Sequence, residues 1–176
     1  SNDIKTYIKN DIVVFGISIL AIMFIVLYLF FRRLSWVVLS LGCAFLNVML
    51  VAGLIGLFEL QLTLISANFV ALLIIFSITL SIHVIIRYQE ICSLNPDSDN
   101  NIVIALQQIF TPCSYMIATS AIAFLSLIAS DIQPVIYFGL IMVLGLLCAF
   151  TITFTALPAL IKLIKPKIID FKSDRS

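Results

Sequence analysis

The chain has 176 residues, of which 62% are apolar and 11% charged, and its net charge is +1. With a mean hydropathy of +1.22 it lacks the polar surface a water-soluble domain needs, so it reads as an all-α integral membrane protein. The net charge itself says nothing about nucleic acid, but no basic patch exists beyond flanking clusters, so no nucleic-acid partner is expected; the four cysteines, Cys43, Cys92, Cys113 and Cys148, have no CxxC or metal-ligand spacing.

Five apolar runs meet the length of about 20 residues that a helix needs to cross a bilayer. The first, about 12–31, follows a polar, mixed-charge leader unlike a signal peptide and stops at Arg32 and Arg33. The second, about 36–58, runs to a turn around Glu59 and Gln61, and the third covers about 64–86. A cytoplasmic loop is predicted over about 87–112, because Asn95-Pro96-Asp97-Ser98-Asp99 is a strong turn signal. Within it, 101–110 is weakly amphipathic and suited to the membrane interface. The fourth run, about 113–130, is broken by Asp131 to Pro134. The fifth, about 135–161, closes on Lys162, Lys165 and Lys167, with Pro158 expected to kink or end it. No soluble domain is evident, so 1–176 reads as a single transmembrane domain.

Charge placement predicts an orientation. With five crossings, Arg32, Arg33, Arg87, Lys162, Lys165, Lys167, Lys172 and Arg175 share one side, and only Lys5 and Lys9 take the other. The positive-inside rule then puts the N-terminus outside the cytoplasm and the C-terminus within it. Five spans in that orientation, with no signal sequence, lead to the expectation of a fragment whose first transmembrane helix lies upstream. Small residues four apart, Ala52 with Gly56 and Gly145 with Ala149, are expected at helix contacts, as is a face carrying Thr119, Ala123 and Ser126.

Polar residues inside the spans are the candidate transport-path groups. At about 100° per residue, Asn68 and Thr79 project within about 20° of each other and His83 about 40° further round. Ser77 and Ser81 lie on the roughly opposite face, where the plain reading is a bond to their own helix carbonyls. Thr79 and His83 leave both readings open, packing or function. Asn47 is the most costly neutral polar group of the second span, and Thr119 with Ser120 adds polar atoms to the fourth. No acid or cation lies inside any span, so His83 is the one group there that titrates near neutral pH. No HExxH, GxSxG, glycine-rich phosphate loop or carboxylate pair within a span is present; neither an enzyme, a metal site nor a cofactor is expected.

Ile82-His83 followed by Arg87-Tyr88-Gln89-Glu90 resembles the end of the fourth transmembrane helix in the resistance–nodulation–division (RND) superfamily, in particular the MMPL-type exporters and their sterol-sensing-domain relatives. Ala118 to Ser130, Val135 to Gly145 with Ala156 to Leu160, and Leu54 to Thr63 are similar to further helix and hairpin motifs of that group, in the same order. The resemblance implies helices two to six of a six-helix repeat. It implies an extracytoplasmic domain before residue 1 and a second, pseudo-symmetric half of the transporter as partners. It also implies a proton-driven exporter of lipid or other hydrophobic molecules in an inner membrane, with homo-oligomerisation left open. One departure stands out: the family's fourth helix commonly carries an aspartate that relays protons, and Thr79 occupies that position. A sterol-sensing-like lipid-binding or scaffolding module without coupling in this half is the alternative, and a protein-translocase subunit is a weaker one.

Overall fold

A computed structural model describes residues 2–58, 69–96 and 98–165. The turn at Glu59 and Gln61, Asn68, Asp97 and the basic residues from Lys167 on lie outside them. The described chain is all-helical, with five helices long and apolar enough to cross a membrane. They are α1 (Asn2–Phe31), α2 (Leu34–Leu57), α3 (Phe69–Leu94), α4 (Asn101–Leu125) and α5 (Gln133–Ile164), and a single 3-10 turn (Ser126–Ala129) extends α4. Helices are what such sequences must form. In hydrocarbon no water can pair a backbone N–H or C=O, and a helix satisfies both within one segment.

Residues 1–37 and 38–176 form separate compact units. In the first, α1 carries its apolar side chains largely exposed, as lipid contact requires, and Ser18 bonds back to the Val14 carbonyl at 2.7 Å. Arg32 ends the helix in a left-handed conformation, φ 51°, while its N–H still reaches the Tyr28 carbonyl at 2.8 Å.

In the second unit α3, α4 and α5 pack on one another. Val51 and Ile55 of α2 join Phe69 and Leu73 of α3 and Ile141 and Met142 of α5 in one buried cluster. Leu80, Cys113, Ile117, Leu146 and Ala149 make another between α3, α4 and α5. Phe76–Phe124 and Phe124–Phe138 edge contacts, with centroids 6.3 and 6.1 Å apart, brace the same three helices. Two glycines allow α5 to come this close. A Cβ on Gly139 would stand 2.7 Å from the Phe124 carbonyl oxygen, and one on Gly145 would overlap the Leu73 side chain.

Several helix ends differ from the predicted spans, and α1 begins at Asn2 rather than near residue 12. The loop expected over about 87–112 is shorter as backbone, since α3 continues to Leu94 and α4 begins at Asn101. Pro112 lies inside α4 without breaking it, because a proline removes one intrahelical bond and the rest of the ladder holds. Pro158 likewise does not end α5, which runs on to Ile164. The short connection is tied by Asn101, whose Nδ2 donates to the Asn95 carbonyl at 2.7 Å. Arg87 clamps the same end: its Nε donates to Gln108 Oε1 of α4 at 2.7 Å, and it pairs with Glu90 one turn on.

Candidate functional site

Helix α3 carries polar groups on two faces, and the structure treats them differently. One face points at α2. Ser77 and Ser81, one turn apart, lie on it and are buried, while Gln89, also buried, projects about 120° round the helix from Ser77. On α2 the answering stripe holds Ser40, Cys43 and Asn47, also buried. Asn47 Nδ2 donates to Ser77 Oγ at 2.8 Å, an interhelical bond inside the protein. Ser81 Oγ donates to the Ser77 carbonyl at 2.9 Å, and the Cys43 thiol lies against the Ser81 hydroxyl. The seam is under-satisfied. Ser40 Oγ and Asn47 Oδ1 are buried without a hydrogen-bond partner, as are both amide atoms of Gln89 and Thr153 Oγ1 of α5. Unpaired amides in an apolar interior are costly, so this seam is where a water or a rearranged side chain would be held most strongly.

The other face is open. Thr79 is half-buried and donates to the Ile75 carbonyl at 2.7 Å, so its hydroxyl is satisfied within its own helix. His83 is exposed and lines a small cleft of about 70 Å³ with Ile109, Pro112, Cys113 and Met116 of α4. Thr119 is exposed and shares its hydroxyl between the Tyr115 and Met116 carbonyls, both at 3.0 Å, while Ser120 is half-buried. Asn68, the third member of the predicted stripe, lies outside the described residues. The predicted candidates are thus split: Asn47 joins Ser77 in the seam, and Thr79 and His83 stand apart from it.

The small-residue pairs divide in the same way. Gly145 and Ala149 are buried in α5. Ala52 and Ala123 are exposed, and a Cβ on Gly56 would meet nothing within 4 Å, so none of these three is buried against a neighbouring helix. Spacing alone finds small residues but not the face on which a neighbour stands.

Among the described residues no segment of 13–29, 34–58, 69–86, 102–130 or 135–161 contains an acid or a cation, and no group of metal-binding side chains forms. The interior can therefore exchange hydrogen bonds but cannot hold charge. Such a bundle, with α3 ending in Arg87-Tyr88-Gln89-Glu90, has to be placed among proteins. The model of the MMPL family matches residues 1–175. The chain belongs to the MMPL family. None of the curated proteins matches it. Membership makes this MMPL chain a multi-pass membrane protein of the RND transporter type, in a family of transporters and not of enzymes.

Two features of this MMPL chain escaped sequence reasoning. Ser40 shares the helical stripe of Cys43 and Asn47, a signal that was readable once Asn47 was singled out. Gln89 sits inside the charged Arg87–Glu90 motif and so looks solvated on sequence alone; it is wholly buried.

Proposed function

We propose that the chain is the transmembrane part of an exporter that moves lipid or another hydrophobic molecule out of an inner membrane, with the N-terminus extracytoplasmic. The complete transporter is driven by the proton gradient. Its second half and extracytoplasmic domains are the partners of this half, and proton coupling resides in that second half. MMPL membership over residues 1–175 is the observation that carries the transporter reading. The assignment of coupling to the other half is supported by Thr79, an uncharged residue at the position where the related helix keeps an aspartate, bonded to its own Ile75 carbonyl. A threonine hydroxyl cannot change charge in the working pH range, so it can pass a hydrogen bond along but cannot store a proton.

The test is transport of a fluorescent lipid by the full-length protein in proteoliposomes with an imposed proton gradient. Transport is expected to stop on adding a protonophore and to stay within about twofold of wild type in Thr79→Ala. Complete loss in Thr79→Ala at normal expression would make this half part of the coupling machinery. Absence of lipid transport with or without the gradient would favour the second reading, a lipid-binding or scaffolding module without coupling, which the self-satisfied Thr79 hydroxyl also suits.

A further inference from the structure

A cleft of about 530 Å³ opens at the end of the bundle where α3 and α5 finish and α4 begins. Its size falls in the range of about 300–1,000 Å³ usual for small-molecule sites. Unlike the seam, it is charged. Lys162 stands in the last turn of α5 and Lys165 at its left-handed cap, φ 44°, and both line the cleft. The first turn of α4 contributes Asn101 and Ile102 to the same cleft. That turn contains no acidic residue, and no side chain caps it, so the unpaired N–H groups of a 25-residue helix face this end. The arrangement gives two cations and a helix N-terminus for one anion.

A second set of groups asks for the opposite charge. Asp99 lines the same cleft. So does Asn101, which is only 4% exposed; its Nδ2 is committed to Asn95, and its Oδ1 is buried with no partner. A carboxylate and an unmatched amide oxygen accept hydrogen bonds from an ammonium group. Ile102 and Ile161 add apolar surface to the lining. Because α5 runs unbroken from the apolar span into the cleft, the site stands at headgroup level for any lipid lying along that helix.

We infer that the cleft formed by Lys162, Lys165, Asp99, Asn101 and the start of α4 binds the phosphoethanolamine headgroup of a membrane lipid. Phosphate rests on the lysines and the helix N-terminus, and the ammonium donates to Asp99, with Asn101 Oδ1 the buried acceptor beside it. This site lies apart from the Asn47–Ser77 seam and from Thr79, so a lipid here holds the α3–α4–α5 end together and is not the transported molecule on its path.

The experiment is native mass spectrometry of the delipidated full-length transporter titrated with phosphatidylethanolamine, phosphatidylcholine and phosphatidylglycerol. Phosphatidylethanolamine is expected to bind about tenfold more tightly than phosphatidylcholine, whose trimethylated nitrogen has no hydrogen to donate. The Lys162→Gln/Lys165→Gln variant should lose about tenfold or more in phosphatidylethanolamine affinity. Asp99→Asn, an exposed position with little bearing on folding, should bring phosphatidylethanolamine and phosphatidylcholine close to parity and improve phosphatidylglycerol. Equal binding of the ethanolamine and choline lipids by wild type, or unchanged binding in the double lysine variant, overturns the assignment. So does phosphatidylglycerol binding above phosphatidylethanolamine in wild type, which would mark a general basic surface. Free O-phosphoethanolamine is the control for source: displacement of the lipid at equal concentration would make the ligand a soluble phosphate ester and also overturn the lipid reading. Because the readout is binding, failure here leaves the transport proposal standing, and loss of transport leaves this one standing.

Discussion

The closed and the open sides of the bundle are built from the same residue types and behave in opposite ways. On the closed side, Gly145 meets Leu73, and Ser77 accepts a bond from Asn47 across the gap between α2 and α3. On the open side, Gly56 meets nothing, and Thr79 turns its hydroxyl back on the Ile75 carbonyl. A glycine, or a small hydroxyl, has no fixed role inside a membrane. Its role is set by whether a neighbouring helix stands close enough to use the missing side chain or to compete for the proton. Lipid gives helices no hydrophobic reason to associate, so the closed side must be held by close packing and by the few polar bonds it contains.

The largest contrast should come from the glycines. Gly145→Val forces β-carbon and methyl groups into Leu73, which is itself wholly buried among Val51, Ile141 and Met142. Thermal unfolding in detergent should register a loss of about 1–3 kcal/mol, the usual cost of overpacking. Gly56→Val, on the open side of α2, should change stability by less than about 0.5 kcal/mol. Equal losses at the two positions would mean that Gly56 meets a partner of its own, such as the second half of the transporter.

Next in size is the polar bond. A double-mutant cycle on Asn47→Ala and Ser77→Ala, read from the same unfolding transition, should give a coupling of about 0.6 kcal/mol, the average for such bonds between membrane helices, and no more than about 1.7 kcal/mol. A coupling near zero would show that the pair does not meet in the membrane. The single Asn47→Leu variant is less informative, because it also removes the unpaired Oδ1 and so relieves a cost while losing a bond.

The sequence carried the spans well and their contacts poorly, and the reason is physical. Hydropathy along one segment reports the solvent that segment sits in, so the five apolar runs were legible. The start of α4 was not, because Asn101, Gln107, Gln108 and Pro112 lower hydropathy and suggest a break, whereas a helix needs only that most of its backbone bonds survive. Gly145 with Ala149 and Ala52 with Gly56 read alike as small pairs four apart; only the position of Leu73, a residue on another helix, separates them. Asn47 was recognised as costly, but its partner Ser77 lies thirty residues away on α3, and no local pattern names it. The family motif at the end of α3 was readable as a motif, while the burial of Gln89 within it depends on packing that sequence periodicity does not contain.

The smallest effect is expected where the comparison is sharpest, on the open face of α3. Thr79→Ala removes a hydroxyl that bonds only to its own helix, so stability should move by less than about 0.5 kcal/mol. His83→Gln keeps a polar side chain at the mouth of the Pro112 cleft while removing the one imidazole of the chain. If the second half carries the proton, the pH profile of transport should keep its midpoint in both variants. A midpoint that moves in His83→Gln but not in Thr79→Ala would show His83 titrating within the cycle. The open face would then take part in coupling through its imidazole, despite lacking a carboxylate, and the division between a closed structural side and a chemically silent open side would fail at that residue.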